Sequence, residues 1–193
     1  MAFAMLTVFM LVVVFVRIVY QYKLSGDHGI RPASRQASTE TKIASVLFMM
    51  SFVGIFVLSV VEVSNGDHTH PTDTMTRISF GVLVYLVGIF LISYSQFVMG
   101  RSWRMGMNEN ETTTLVTTGI YSRVRHPIYT GVAFFLLGEV LLIPHLTTIV
   151  LVGLGLLSIH LHVRYVEEPY LTRIHGEVFT KYQESTGTYF PKM

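Results

Sequence analysis

Long apolar runs separated by short polar segments dominate the pattern of this chain. The runs cover residues 2–22, 43–63, 78–99, 129–143 and 146–166. A transmembrane helix needs about 20 predominantly apolar residues, and four of the runs reach that length. The fourth run is shorter and carries Glu139, which predicts a tilted helix, an earlier start or a helix covered by protein. Only Pro144 and His145 separate the last two runs, so these runs predict a tight helical hairpin.

Composition agrees with this pattern. Hydrophobic residues make up 51% of the 193 positions and charged residues 13%, which excludes an ordinary soluble domain and a disordered chain. The absence of cysteine excludes a disulfide scaffold and thiolate chemistry. The net charge of +2 does not indicate a nucleic-acid partner, because the basic residues lie between apolar runs. The sequence therefore predicts an all-α, polytopic integral membrane protein with about five transmembrane helices in one domain, residues 1–193.

The distribution of charge predicts an orientation in the membrane. Five spans place residues 23–42, 100–128 and 164–193 on one side, and the N-terminus and residues 64–77 on the other. Outside the spans, lysine and arginine fall on the first side, with Arg77 alone on the second. Cytoplasmic loops carry an excess of basic residues. We therefore expect the N-terminus outside, and a cytoplasmic pocket formed by the 100–128 loop and the C-terminal tail.

The segment that enters the fourth run carries a distinctive motif, residues 125–131, with the sequence Arg-His-Pro-Ile-Tyr-Thr-Gly. Leu115-Val116 and Gly119-Ile120-Tyr121 precede it, Glu167-Glu168 follow the hairpin, and Gly176, Tyr182 and Pro191 stand in the tail. This ordered combination resembles the isoprenylcysteine carboxyl methyltransferase family, whose relatives include membrane phospholipid N-methyltransferases. The resemblance covers residues 100–191 and implies that residues 100–193 form the catalytic half. Residues 1–99 match only as three hydrophobic spans. The length is typical of a compact prokaryotic member.

The resemblance implies an integral membrane enzyme that uses S-adenosylmethionine, releases S-adenosylhomocysteine and methylates the C-terminal carboxylate of a prenylated cysteine. The chemistry is compatible, because an α-carboxyl group with a pKa of about 3.3–3.7 is already ionised at neutral pH and needs no general base. Rate enhancement then comes from holding the reacting groups in line. We expect a lipid-like substrate to enter from the bilayer, among membrane lipids, and we expect no nucleic acid and no metal.

The resemblance also implies a set of cofactor-binding residues. These are Thr113, Thr114, Leu115, Val116, Tyr121, His126, Pro127, Ile128, Tyr129 and Glu167. A ring N–H of His126 would bond the cofactor, the Tyr129 ring would face its adenine or sulfonium, and Glu167 would bind its ammonium or ribose. Without the resemblance, His126 could instead cap polar backbone groups at a helix start, Tyr129 could be an interfacial tyrosine, and Glu167 could be a solvated charge. Pro127 suits the first turn of a helix.

Two arginines are candidates for holding the substrate, and Arg164 and Glu167 are the expected catalytic residues. The guanidinium of Arg164 would hold one carboxylate oxygen and leave the other to attack. In the eukaryotic relatives a basic residue stands at the position of Val163. Arg173 as a substrate-binding residue, and a purely anchoring role for Arg164, therefore stay open.

Other function classes remain possible from the sequence. A lipid-amine N-methyltransferase would need a deprotonated amine, and an acid such as Glu168 would replace the arginine. A sterol-type membrane reductase would need NADPH, for which no dinucleotide fingerprint is present. A transporter or scaffold would need more intramembrane charges than the chain has. His160 and His162 lie about 200° apart on a helix, so they predict no metal pair.

Overall fold

The computed structural model describes residues 1–31, 38–65, 74–106 and 114–192. Its long helices are α1 (Ala2–Ser25), α2 (Thr39–Asn65), α3 (Thr74–Met99), α4 (Pro127–Leu142) and α5 (Leu146–His162). Two short helices follow, α6 (Glu168–His175) and α7 (Glu177–Ser185). The five predicted apolar helices are therefore confirmed, and the protein is an all-α, polytopic membrane protein.

The outer surface of these helices is apolar. Among the described residues, four helical stretches are long and apolar enough to cross a membrane: Ala2–Ser25, Thr39–Ser64, Met75–Ser102 and Leu146–His175. Large side chains such as Phe15, Phe90 and Phe97 are more than 60% exposed. A soluble monomer rarely exposes apolar patches of this extent, so these side chains face lipid.

Helix α4 is short because protein covers it. It begins at Pro127, two residues before the apolar run, and packs along α3 through facing glycines. A Cβ atom at Gly88 would lie 2.6 Å from the Phe135 nitrogen and 2.7 Å from the Gly131 carbonyl oxygen. Glu139 is completely buried on this helix, and neither of its carboxyl oxygens has a hydrogen-bond partner within the described residues. Of the alternatives that the sequence leaves open for this short run, the structure shows an earlier start and a cover of protein.

Substituting Gly88 by alanine is expected to destabilise the protein by about 1–3 kcal/mol, since the added methyl group meets backbone atoms that cannot move aside. Gly153→Ala on α5 is the matched control, because a Cβ atom at Gly153 meets nothing within 4 Å. Thermal unfolding in detergent would compare the two variants. Equal midpoints would contradict the close packing of α3 on α4.

Helical structure does not stop at Val166, where the apolar run ends, although α5 itself ends at His162. A π-helical stretch, Val163–Glu167, joins it directly to α6. A proline within a helix removes one hydrogen bond and clashes with the carbonyl four residues earlier. The wider π-helical turn just before Pro169 accommodates that clash. As a result Glu167 and Glu168 lie on a rigid helix rather than in a loop.

A second π-helical stretch, Met10–Val16, interrupts α1. It contains no proline or glycine, so its cause lies in the packing around it. The Gln96 side chain on α3 donates to the Val13 carbonyl oxygen across 3.2 Å, in a buried position. A π-helical turn often forms where a side chain inserts into the helical hydrogen-bond pattern, and Gln96 makes such a contact here.

The last turns of α1 hold the end of α3. The buried guanidinium of Arg17 donates to the Gly100 carbonyl oxygen at 2.6 Å, and the Gln21 amide donates to the Arg101 carbonyl oxygen at 3.1 Å. Trp103 packs under Arg17, whose guanidinium carbon lies 4.8 Å from a ring centroid of that tryptophan. These contacts fix the segment that follows α3.

Candidate functional site

Two adjacent cavities lie where the segments after α3 and α5 meet. The polar cavity measures about 140 Å³, and its lining residues are Met99, Ser102, Arg104, Gly106, Thr114, Leu115, Val116, Tyr121, Arg125, His126, Tyr129, His162, Glu167, Tyr170, Leu171, Phe179 and Tyr182. The apolar cavity measures about 380 Å³ and extends between α1, α2, α3 and α4. Phe9, Val13, Phe52, Ile92 and Val132 are among its lining residues.

The two cavities share one wall. Its residues are Met99, Arg104, Gly106, Tyr121, Arg125, His126, Tyr129 and Glu167. Charged and aromatic side chains of this wall therefore face a polar space on one side and an apolar space on the other. A polar molecule and a lipid chain placed in the two cavities would meet here.

Arg125 ties the motif to the C-terminal tail. Its Nε donates to Glu168 Oε1 at 2.9 Å, and its Nη2 donates to Thr188 Oγ1 at 2.8 Å. Its Nη1 donates to the carbonyl oxygens of Gln183 and Thr186. Every guanidinium nitrogen of Arg125 is thus engaged in holding the tail and α6 together.

Backbone pairing reinforces this connection. The amide of Arg125 donates to the Gly187 carbonyl oxygen at 2.9 Å, and the amide of His126 donates to the Thr188 carbonyl oxygen at 3.0 Å. The Thr130 hydroxyl donates to the Tyr189 carbonyl oxygen at 2.7 Å. The tail therefore runs beside the motif as a short parallel bridge and closes the wall behind it.

His126 lies between two carboxylates, that of Glu167 in the π-helical stretch and that of Glu168 in α6. Its Nδ1 is 3.6 Å from Glu167 Oε1, its Nε2 is 3.3 Å from Glu168 Oε1, and its side chain is 3% exposed. Burial alone lowers the pKa of His126, but the charge of Glu167 and polar contacts with both carboxylates raise the pKa to about 9. The ring is therefore charged at neutral pH, donates a hydrogen bond to Glu168 and forms an ion pair with Glu167.

This ion pair predicts a pH dependence of stability. A histidine in the unfolded chain has a pKa of about 6.5, so the raised pKa of His126 stabilises the fold fully below that pH. The stabilisation is lost as the pH rises through about 9. We expect the unfolding midpoint of the wild type to fall more steeply between pH 7 and 10 than that of His126→Gln. Parallel curves for the two proteins would contradict the assignment.

Glu167 has one carboxylate oxygen that lacks a donor among the described residues. Its Oε2 is buried and accepts no hydrogen bond within them. A buried acceptor without a donor costs about 1–3 kcal/mol. The Tyr129 ring lies nearby on the same wall, 6.0 Å from His126 and 6.2 Å from His162, measured between ring centroids. A donor on a bound molecule would satisfy this oxygen.

The structure brings most of the predicted site residues together. Those lining the polar cavity are Thr114, Leu115, Val116, Tyr121, His126, Tyr129 and Glu167, while Pro127 and Ile128 line the apolar cavity. Thr113 lies outside the described residues. Arg164 and Arg173 are exposed and line neither cavity. The structure therefore does not bring the two predicted substrate arginines to the shared wall.

Several residues of the site were not identified from the sequence. Arg104 lines both cavities, and His162 and Phe179 line the polar one. The motif contained Arg125, but its role in holding the tail depends on partners about 60 positions away. Within the described part of the chain, no group of three or more histidine, aspartate or glutamate side chains is placed to hold a metal ion.

Comparison with known proteins adds to this geometry. The described apolar helices and paired cavities define an integral membrane protein whose polar site lies against a lipid-facing space. A family model described as phospholipid methyltransferase matches residues 76–178, just over half of the chain. The chain belongs to this family, and the matched residues include the whole shared wall.

Two curated relatives carry the name protein-S-isoprenylcysteine O-methyltransferase. The one from Schizosaccharomyces pombe is 27% identical over 152 residues, which covers 78% of this chain and 58% of that protein. The one from Xenopus laevis is 30% identical over 115 residues, covering 58% of this chain and 39% of that protein. The resemblance identified from the motif is thereby confirmed, and the matches span less than two thirds of each relative's length.

Proposed function

We propose that this protein is an S-adenosylmethionine-dependent methyltransferase that esterifies the C-terminal carboxylate of a prenylated cysteine. The site faces the cytoplasm, and the N-terminus lies on the opposite side of the membrane. The observation that carries the proposal is the wall that the polar and apolar cavities share. A methyl group must pass from a water-soluble donor to a membrane-dissolved acceptor, and that wall is where the two spaces meet. The names of the relatives support the same reaction.

The polar cavity suits S-adenosylmethionine, which supplies an electrophilic methyl group on a sulfonium. Buried Glu167 Oε2 offers an acceptor for the ammonium or ribose hydroxyls. The rings of Tyr121 and Tyr129 offer faces for adenine or for the positive sulfonium, and a cation–π contact contributes about 0.5–2 kcal/mol. His126, charged and fixed between two acids, offers no acceptor and holds Glu167 in place.

The apolar cavity suits the prenyl chain of the acceptor. Phe9, Val13 and Phe52 line it from α1 and α2, so a chain would enter sideways from the bilayer. The acceptor carboxylate is ionised at neutral pH and needs no base. The protein therefore contributes orientation and exclusion of water at the shared wall rather than proton transfer.

A lipid amine is the second candidate acceptor, because the matching family model is described as phospholipid methyltransferase. That reaction requires a group that removes a proton from the amine. Glu168 is the acid that this alternative predicts, but its two oxygens already accept hydrogen bonds from Arg125 and Gln183. The carboxylate acceptor therefore needs less rearrangement of the described site.

Calorimetric binding to the detergent-purified protein tests the cofactor. We expect saturable binding of S-adenosylhomocysteine and no binding of NADPH at matched concentrations. Methyl transfer to N-acetyl-S-farnesylcysteine, compared with transfer to phosphatidylethanolamine, then separates the two acceptors. NADPH binding without S-adenosylhomocysteine binding would contradict the proposal and favour a reductase, and transfer to the lipid amine alone would favour the second candidate.

A further inference from the structure

We infer that Arg104, rather than Arg164 or Arg173, binds the anionic carboxylate of the acceptor at the shared wall. This rests on the proposed function only in identifying the acceptor as a lipid that ends in a carboxylate. Arg104 lines both cavities, whereas the two arginines predicted from the sequence line neither. A carboxylate at the end of a chain in the apolar cavity would reach the polar cavity beside this side chain.

The segment that carries Arg104 is held in place from three directions. Met105 donates its amide to the Gly29 carbonyl oxygen at 2.8 Å and accepts from the Arg31 amide at 2.7 Å. The next residue, Gly106, has φ +85°, and a Cβ atom there would lie 2.1 Å from the Arg31 carbonyl oxygen. Only glycine fits this position without displacing the backbone.

The third support comes from α1. Arg17 and Gln21 donate to the carbonyl oxygens of Gly100 and Arg101, just before Arg104. The Arg104 Nη1 then donates to the carbonyl oxygens of Arg101 at 2.8 Å and Trp103 at 2.9 Å. These hydrogen bonds hold Nη1 of the guanidinium in a fixed backbone frame, and a guanidinium fixed in this way can orient a carboxylate.

The other cationic side chains of the shared wall, Arg125 and His126, bind groups of the protein itself. All three nitrogens of Arg125 hold Glu168 and the tail. The ring nitrogens of His126 face Glu167 and Glu168. Binding an acceptor carboxylate through either residue would break contacts that build the wall. Arg104 lies where the two cavities meet, and this position favours it for the task.

Trp103 provides a direct measurement of acceptor binding. It is the sole tryptophan of the chain, lies next to Arg104 and lines the apolar cavity, so its fluorescence reports a ligand there. N-acetyl-S-farnesylcysteine and its methyl ester share the same lipid chain and differ in charge. We expect the wild type to bind the acid at least about tenfold more tightly than the ester, since a charged hydrogen bond contributes about 1.5–3 kcal/mol.

Arg104→Gln is expected to lower the affinity for the acid about tenfold and to leave the affinity for the ester and for S-adenosylhomocysteine unchanged. Unchanged ester binding shows that the variant is folded. Arg104→Lys keeps the charge but loses the planar guanidinium. Its affinity for the acid should lie between those of the wild type and Arg104→Gln. Arg101→Gln, an exposed arginine on the same segment, is the matched control and should behave as the wild type.

Four outcomes would overturn the inference. They are equal affinities of the wild type for acid and ester, no binding of either compound, an acid preference that survives in Arg104→Gln, and a loss confined to S-adenosylhomocysteine. The last outcome would place Arg104 in the cofactor site. The acid–ester comparison requires no methyl transfer, so a failure of the proposed reaction and a failure of this assignment give different results.

Discussion

Replacing Glu167 by glutamine is expected to lower the affinity for S-adenosylhomocysteine by about 10- to 100-fold and to reduce methyl transfer at least as strongly. The substitution keeps the shape of the side chain but removes the charge of a buried acceptor whose Oε2 has no donor within the described residues. A hydrogen bond to a charged group contributes about 1.5–3 kcal/mol, which corresponds to that range of affinity. Calorimetry with S-adenosylhomocysteine measures the binding, and radiolabelled methyl transfer measures the activity.

Glu184→Gln on α7 is the matched control, because Glu184 is exposed and lines neither cavity. Tyr129→Ala should also weaken S-adenosylhomocysteine binding, through loss of a ring on the shared wall. Affinities unchanged from the wild type in both Glu167→Gln and Tyr129→Ala would remove these residues from the cofactor site.

Arg125→Met is expected to destabilise the protein by about 3–5 kcal/mol. The substitution leaves Glu168 buried without its arginine and removes the side-chain hydrogen bonds to the tail. Unfolding midpoints in detergent measure the overall loss. Limited proteolysis with trypsin measures the release of the tail, because Lys181 on α7 is exposed and becomes cleavable when α7 detaches.

Arg123→Met is the control for this variant, since Arg123 is an exposed arginine two positions earlier. The double variant Arg125→Met/Glu168→Leu should recover part of the stability, because it removes a buried carboxylate that has lost its arginine partner. A double variant that is no more stable than Arg125→Met would mean that the hydrogen bonds to the tail, rather than the ion pair, supply the stability.

The five apolar helices follow from the sequence because burial in lipid requires length and apolarity, and both are local properties. The last apolar run stops at Val166, whereas helical structure continues through the π-helical stretch and α6 to His175. Glu167 and Glu168 lie on this helical continuation, where residues of the site that are distant in sequence contact them. The local sequence pattern does not contain those contacts. The short α4 also depends on contacts that its own sequence does not show, because α3 packs against it and covers it.

Part of the candidate site was also predictable. His126, Tyr129 and Glu167 belong to an ordered motif, and they meet at one wall. Arg104 belongs to no motif, and its position depends on pairing between Gly29 and Met105, which are distant in sequence. Arg164 carries the expected charge, one position after the place where the eukaryotic relatives have a basic residue, but its side chain lies on the exposed surface.

The bridge between the motif and the tail also determines when the site can form during synthesis. Two partners of Arg125 lie far along the chain, Thr186 61 positions and Thr188 63 positions after it. At about 5–20 residues per second, a ribosome needs about 3–12 seconds to make that stretch. Throughout this interval the nascent chain carries Arg125 without these tail partners. A chain cut before Thr186 would keep all five apolar helices and still lack the bridge that closes the wall.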